Sequence, residues 1–503
     1  MKAFRALGIS VFALMVCCGV ATAQKEAFTA GTWTAVTKAP PSGVGHALLL
    51  TDGSVLVVNS GCSATGNWYR LVPDSTGSYI KGSWVSAGNL PAGYNPLYFA
   101  SAVLPNADVL IMGGEYNGCN SAFTTKGAIY NPKTNLWMAV KAPVGWSTIG
   151  DASSIVLPNG HFMLANCCTT DEAIATLSKG VVTWTATGKG KADDNDEEGW
   201  TLLPNGDILT VDAYVGSYNS TGTNSEIYKT SAGTWSSAGS TIVQLWDSSA
   251  SCGGAAKASY EVGPAILRPD GTVFYTGANR CSAGHTAIYD TATGVWSAGP
   301  DFPGALNIAD GPAALLPDGN VLLDTSPGIY AAGSVFFEWD GAALNSVPGT
   351  PNAPVDSSYV GSMVLLPTGQ VLFTDNSSSV QIYTPAGSPC TGCAPTISTV
   401  ASTLTHGSLN NVIHGTQFNG MGQGSAYGDD AQQASNYPLV RITDASGAVV
   451  FCRTHSFNTM GVRTGGKLVA AQFDIPSTIA LGTASLEVVT NGIASTPVAV
   501  TID

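Results

Sequence analysis

One phrase recurs seven times along the chain: an apolar run, a tight turn and a second apolar run. The copies are HALLLTDGSVLVV, ASAVLPNADVLIM, ASSIVLPNGHFML, GWTLLPNGDILTV, GPAILRPDGTVFY, GPAALLPDGNVLL and GSMVLLPTGQVLF. An Asp-Gly or Asn-Gly pair between two strand-like runs is a hairpin signal, because both residues tolerate the left-handed backbone that a two-residue turn requires. The turn positions are Asp52, Asn106, Asn159, Asn205, Asp270, Asp318 and Thr368. Successive copies therefore stand between 46 residues (Asn159 to Asn205) and 65 residues (Asn205 to Asp270) apart. A chain of 503 residues would ordinarily divide into about three domains, but a repeat of this period builds one closed or stacked array instead.

Most hairpins are followed by a third strand with an Ile-Tyr pair, as in GAIYNPKTNLW, SEIYKTSAGTW and TAIYDTATGVW, and then by a fourth carrying Trp. The tryptophans are Trp33, Trp84, Trp137, Trp184, Trp235 and Trp296, with Leu344 in the sixth unit. The seventh copy ends at VQIYTPAG without a fourth strand, whereas Trp33 precedes the first copy without a hairpin of its own. The N-terminal strand is thus expected to complete the last unit, which closes the ring and leaves no open sheet edge. These features predict an all-β fold: a seven-bladed kelch-type β-propeller over residues 24–390, followed by an immunoglobulin-like β-sandwich over 394–503, where the repeat gives way to short alternating strands such as ASLEVVTNGIASTPVAVTI.

Residues 1–23 read as a signal peptide: Lys2 and Arg5, an apolar run from Ile9 to Val20, and Ala21-Thr22-Ala23 as the cleavage site. Val16 before Cys17 and Cys18 argues against a lipoprotein anchor. The mature protein is expected to be secreted or periplasmic and monomeric, with no membrane span, since no later apolar run reaches about 18 residues. Formal charge is −14, or −16 without Lys2 and Arg5; such an acidic surface repels phosphate backbones and argues against nucleic acid as a partner. In an oxidising compartment the cysteines should pair. Matching blade positions suggest Cys62 with Cys119 and Cys252 with Cys281, and proximity suggests Cys167 with Cys168 and Cys390 with Cys393. Cys452 is left as a buried small hydrophobe.

In a propeller the first strand of every blade lines the channel and all begin at one mouth. Counting eight residues back from each turn gives Val44, Tyr98, Asp151, Glu197, Val262, Asp310 and Val360, with Glu261 and Tyr359 one residue earlier. Four carboxylates, Asp151, Glu197, Glu261 and Asp310, should converge there with two tyrosines. Carboxylate oxygens suit sugar hydroxyls or a hard cation such as calcium. The acidic run DDNDEEGW reads as a solvated loop that brings Glu197 and Glu198 to the mouth.

At these positions the chain resembles the galactose oxidase family of copper radical oxidases, which join a seven-bladed kelch propeller to a C-terminal sandwich. The resemblance implies a metal held by two tyrosines and two histidines, with one tyrosine linked to a cysteine beneath a stacked aromatic. Tyr98 matches the linked tyrosine, Tyr116 in GGEYNG the stacking aromatic, Tyr359 the axial tyrosine, and His455 in CRTHSFNT the histidine of the C-terminal domain. Val44 replaces the cysteine and Val360 a histidine, so copper is not the expected cofactor; His46 could substitute for the missing imidazole. His161, His285, His406 and His414 are expected to be structural. The resulting expectation is a secreted binding module for carbohydrate or a cell-surface partner, without copper radical oxidase activity. The alternative is an enzyme: an oxidase rebuilt on Tyr98, Tyr359, His455 and His46, or a glycan-active enzyme using the four carboxylates.

Overall fold

The computed structural model describes Met1 and residues 28–61, 66–178, 180–214, 222–248, 258–428 and 436–503. The segment expected to be a signal peptide, apart from Met1, and Cys62 and Cys252, expected to pair with Cys119 and Cys281, lie outside the described residues. Apart from one 3₁₀ turn at Ser358–Val360, the regular structure described is all strand, and no described helix is long and apolar enough to cross a membrane.

Each copy of the repeated phrase forms the inner hairpin of its own antiparallel sheet, from Val44–Leu49 with Val55–Asn59 in the first to Ser362–Leu365 with Val371–Thr374 in the seventh. The turns explain their residues. Asp52 Oδ1 accepts from the Ser54 amide, Asn106 Oδ1 from Asp108 and Asp270 Oδ1 from Thr272, at 2.9–3.1 Å. These short side chains satisfy amides that the turn leaves unpaired. A third and fourth strand complete each sheet, giving a succession of four-stranded antiparallel sheets, the build of a β-propeller. The sixth sheet is extended by a strand from the C-terminal region, Ser425–Ala426, which pairs with Ala313–Leu315.

The Ile-Tyr and Trp motifs meet across the outer strand pair: Tyr130 lies opposite Trp137, Tyr228 opposite Trp235 and Tyr289 opposite Trp296. The indoles also reach the preceding sheet. Trp84 Nε1 donates to the Lys38 carbonyl, Trp137 to Ala87, Trp184 to Lys141 and Trp296 to Ala238, at 2.8–3.2 Å. The repeated tryptophan therefore does two jobs, filling the outer layer and fastening each sheet to its neighbour. Thr32–Ala35 pairs with Gln381–Thr384, placing Trp33 opposite Tyr383.

Beyond residue 394 the strands form two further sheets, Thr396–Val400 with Asn411–Thr416, Val469–Phe473 and Thr454–His455 in one, and a second built on Gly482–Thr490. Buried residues of this region, including Tyr437, Ile442 and Leu486, belong to the same apolar cluster as the first sheet. Cys167–Cys168 and Cys390–Cys393 are disulfide-bonded pairs, Cys119 and Cys281 each take part in a disulfide whose partner lies outside the described residues, and Cys452 is a buried free thiol.

The acidic run is not the solvated loop its charge suggests. Asp193, Asn195 and Glu198 are buried and alternate with outward residues. The reason is Lys191, whose side chain is 0 % exposed and whose ammonium lies 2.7 Å from Asp193, 2.9 Å from Glu198, 3.0 Å from Glu226 and 3.7 Å from Asp212.

Candidate functional site

At one end of the channel a cavity of ≈ 340 Å³ is lined by Tyr98, Tyr116, Asp151, Glu197, Glu261, Asp310 and Tyr359, together with Glu115 and Tyr330. Six of these, Tyr98, Asp151, Glu197, Glu261, Asp310 and Tyr359, come together because the inner strands begin at nearly the same count from their turns. Glu115, Tyr116 and Tyr330 follow from the same hairpins. In an antiparallel pair the second strand ends beside the start of the first, so residues just past Val109–Met112 and Val321–Pro327 also reach the mouth. Tyr98, Glu197, Asp310 and Tyr330 hold φ of 52°, 57°, 52° and 61°. Non-glycine residues seldom adopt this left-handed region, and such conformations cluster at binding sites.

Carboxylate oxygens of Glu197, Glu261 and Asp310 lie within 4.8 Å of one another, whereas Asp151 groups with Asp196 and the Cys167 sulfur. Glu261 accepts from the Tyr330 hydroxyl, and Tyr330 packs edge-on against Tyr359, centroids 5.3 Å apart. Tyr98 and Tyr116 meet in the same manner at 6.4 Å. Burial, with Glu261 and Asp310 adding to it, drives the Tyr330 hydroxyl far above the usual phenol range, so it acts as a neutral donor. Burial also lifts the Glu115 carboxyl to about 7 and Asp196 to about 6, each further raised by Glu261. Beside the mouth Tyr260 stacks on Tyr214 at 4.2 Å and on Trp246 at 5.5 Å.

The histidines divide. His46 lines a second pocket with Tyr98, Tyr359 and Val360. Its Nε2 lies 2.9 Å from Ser101 Oγ and its ring abuts Phe99; although half-buried, it is enclosed enough for burial to hold the imidazole down to about 3. His455 does not reach the mouth. Its ring nitrogens are held by Ser456 Oγ at 2.9 Å and Asp474 Oδ1 at 3.1 Å, and Ser456 is anchored to the Pro105 carbonyl at the turn of the second hairpin. Tyr98 and Pro105 flank the strand Ala100–Val103, which at about 3.3 Å per residue sets them on the order of 20 Å apart. The C-terminal segment that does approach the mouth is 422–428: Tyr427 donates to the Tyr359 carbonyl at 2.6 Å, and a Cβ on Gly428 would come within 2.8 Å of Asp310 Cα. Nothing in the spacing of NGMGQGSAYG marked Tyr427, since the segment follows no repeat.

No family model matches the chain, and no curated protein matches it. Among solved structures it is similar to a fungal alcohol oxidase of the AA5 family solved in complex with copper, at 12 % identity and a TM-score of 0.52, over 94 % of this chain and 100 % of that one. A catalytically inactive virginiamycin B lyase from Staphylococcus aureus with quinupristin superposes over 70 % of this chain and 99 % of that one, at 8 % identity and a TM-score of 0.47. At these identities the first likeness establishes the fold alone, a propeller architecture shared with the oxidase.

The titration of these groups gives stability a definite pH profile. Burial raises Glu172 to about 8 and Glu115 and Asp356 to about 7. Each carboxyl keeps its proton in the folded chain where the unfolded chain has lost it, so its contribution is full below the unfolded carboxylate value and lost as pH rises through 7–8. His46, held down to about 3 from 6.5, acts in the opposite sense and destabilises as pH falls below its unfolded value. Three carboxyls outweigh the one imidazole, so the melting midpoint should fall by several degrees as pH rises from about 5 to about 8.5. A midpoint that is flat or rises over that interval would contradict these assignments.

Proposed function

We propose that the chain is an exported seven-bladed propeller, residues 24–390, followed by an immunoglobulin-like sandwich, residues 394–503, that binds carbohydrate at the channel mouth and carries no copper radical chemistry. One observation carries this reading: the ≈ 340 Å³ cavity combines carboxylates with tyrosines on a single concave surface. Carboxylates accept hydrogen bonds from sugar hydroxyls, and tyrosine rings cover the apolar faces of a pyranose. The left-handed backbone at four lining residues supports a surface shaped for a ligand rather than for packing.

The donor set does not fit the copper centre of the resembling oxidases. Tyr98 and Tyr359 are accompanied by one imidazole, His46, itself bonded to Ser101, while Val44 and Val360 supply no ligand and His455 is tied to Asp474. Copper prefers nitrogen donors, and without a thiol beside Tyr98 the thioether link cannot form. Protein soaked in copper and dialysed should retain well under one equivalent and release no hydrogen peroxide from galactose or simple alcohols. Stoichiometric copper with peroxide release would overturn the binding-module reading.

A further inference from the structure

Glu197, Glu261 and Asp310 come from the starts of three successive channel strands, those leading into Thr201–Leu202, Val262–Leu267 and Ala313–Leu315. One oxygen from each lies within 4.8 Å of the other two. Three oxygens each about 2.3–2.6 Å from one calcium-sized ion are mutually at most about 4.0–4.5 Å apart, so a small adjustment of these side chains brings all three into one coordination sphere. An independent observation points to an occupant. Glu261 is only 5 % exposed, and while one of its oxygens accepts from Tyr330, Oε2 is buried without a hydrogen-bond partner. A buried carboxylate oxygen left unsatisfied in this way is costly. Among the described residues lining the cavity there is no lysine or arginine.

We infer that Glu197, Glu261 and Asp310 form a binding site for a hard divalent cation of calcium's size, on the wall of the channel mouth. Calcium takes six to eight oxygen ligands. Three carboxylates leave positions open towards the cavity, where water or paired hydroxyls of a sugar would complete the shell. Asp151, grouped with Asp196 instead, stands outside this sphere, and Tyr330 orients Glu261 by its hydrogen bond. The inference rests on reading the mouth as the ligand site and narrows it to a cation-mediated one.

The test is calorimetric titration of calcium chloride into the full mature chain after EDTA treatment and dialysis, with terbium luminescence excited through tyrosine as a second readout. About one equivalent should bind, terbium emission should appear and be displaced by calcium, and Glu261→Gln should weaken both by at least tenfold. This near-isosteric change keeps the Tyr330 contact, and its circular dichroism and melting curve check that it folds. Asp301→Asn, at an exposed carboxylate that pairs with His285 and does not line the cavity, should bind like the parent. No binding up to millimolar calcium, or equal binding by a folded Glu261→Gln, would overturn the site whatever the protein does with sugars. Calcium binding that is lost in Glu261→Gln without any glycan binding would uphold the cation site and remove the carbohydrate reading.

Discussion

Lys191→Met is expected to lower the stability of the fold by about 3–5 kcal/mol, the usual consequence of removing one partner of a buried ionic cluster. The ammonium is 0 % exposed and gathers Asp193, Glu198, Asp212 and Glu226 from the acidic run and from two strands of the fourth sheet. Burial alone would lower its pKa, but these carboxylates hold it well above the ordinary lysine value, so it remains charged. Burial also pushes Glu198 and Asp212 up. Without the cation these groups must take up protons or separate. The same loop carries Asp193, whose Oδ2 accepts from the Tyr214 amide, and leads directly into Glu197, so the damage should extend to the mouth. Lys191→Arg should recover little, because a planar fork cannot occupy the centre of a ring built around a compact ammonium. Urea unfolding of the parent and variant measures the loss; a shift below about 1 kcal/mol would show that the cluster is dispensable.

Deleting residues 28–40 is expected to abolish cooperative melting or to lower its midpoint by on the order of 10 °C, with aggregation. Thr32–Ala35 is the outer strand on Gln381–Thr384. Its Trp33 packs against Tyr383, Phe336 and Phe373 at centroid separations of 4.8, 5.3 and 5.6 Å and donates to the Pro348 carbonyl at 2.7 Å. Removal bares the hydrogen-bonding edge of Gln381–Thr384 and the aromatic faces beneath it, and separates the last sheet from the first, where Thr37 donates to the Ile80 carbonyl and Trp84 to the Lys38 carbonyl. Light scattering and calorimetry on the truncated chain check this. A truncated protein that stays monodisperse and melts like the parent would show that the strand closes nothing.

The hairpins and the pairing of the terminal strands were legible because their causes are local: alternation of period two, turn residues that bond their own amides, and a tryptophan on the outer strand of six of the seven units. The mouth positions Tyr98, Asp151, Glu197, Glu261, Asp310 and Tyr359 could be counted because every inner strand has nearly the same length from turn to start. Glu115 and Tyr330 were open to the same count run forward from the second strand, since hairpin geometry returns it to the same level. Tyr427 was not, for it arrives on a segment with no repeat to set its register. The acidic run was misjudged because charge density signals solvation unless a counter-ion is known, and Lys191, two residues upstream of it, meets carboxylates contributed by distant strands. His455 was placed by resemblance; the bonds that hold it, to Asp474 and through Ser456 to Pro105, are long-range contacts no spacing reveals.

Binding of the protein to an array of galactose-, glucose-, mannose- and N-acetylglucosamine-terminated glycans, compared with Tyr116→Ala, is the decisive measurement for the channel mouth. Tyr116 lines the mouth, touches Tyr98 edge-on and is only half-buried, so its removal should spare the fold. One class of glycan should bind, and Tyr116→Ala should weaken that binding at least about tenfold, equivalent to about 1.4 kcal/mol. Failure of every glycan to bind, or binding unchanged in a folded Tyr116→Ala, would contradict the assignment of the channel mouth as a carbohydrate site.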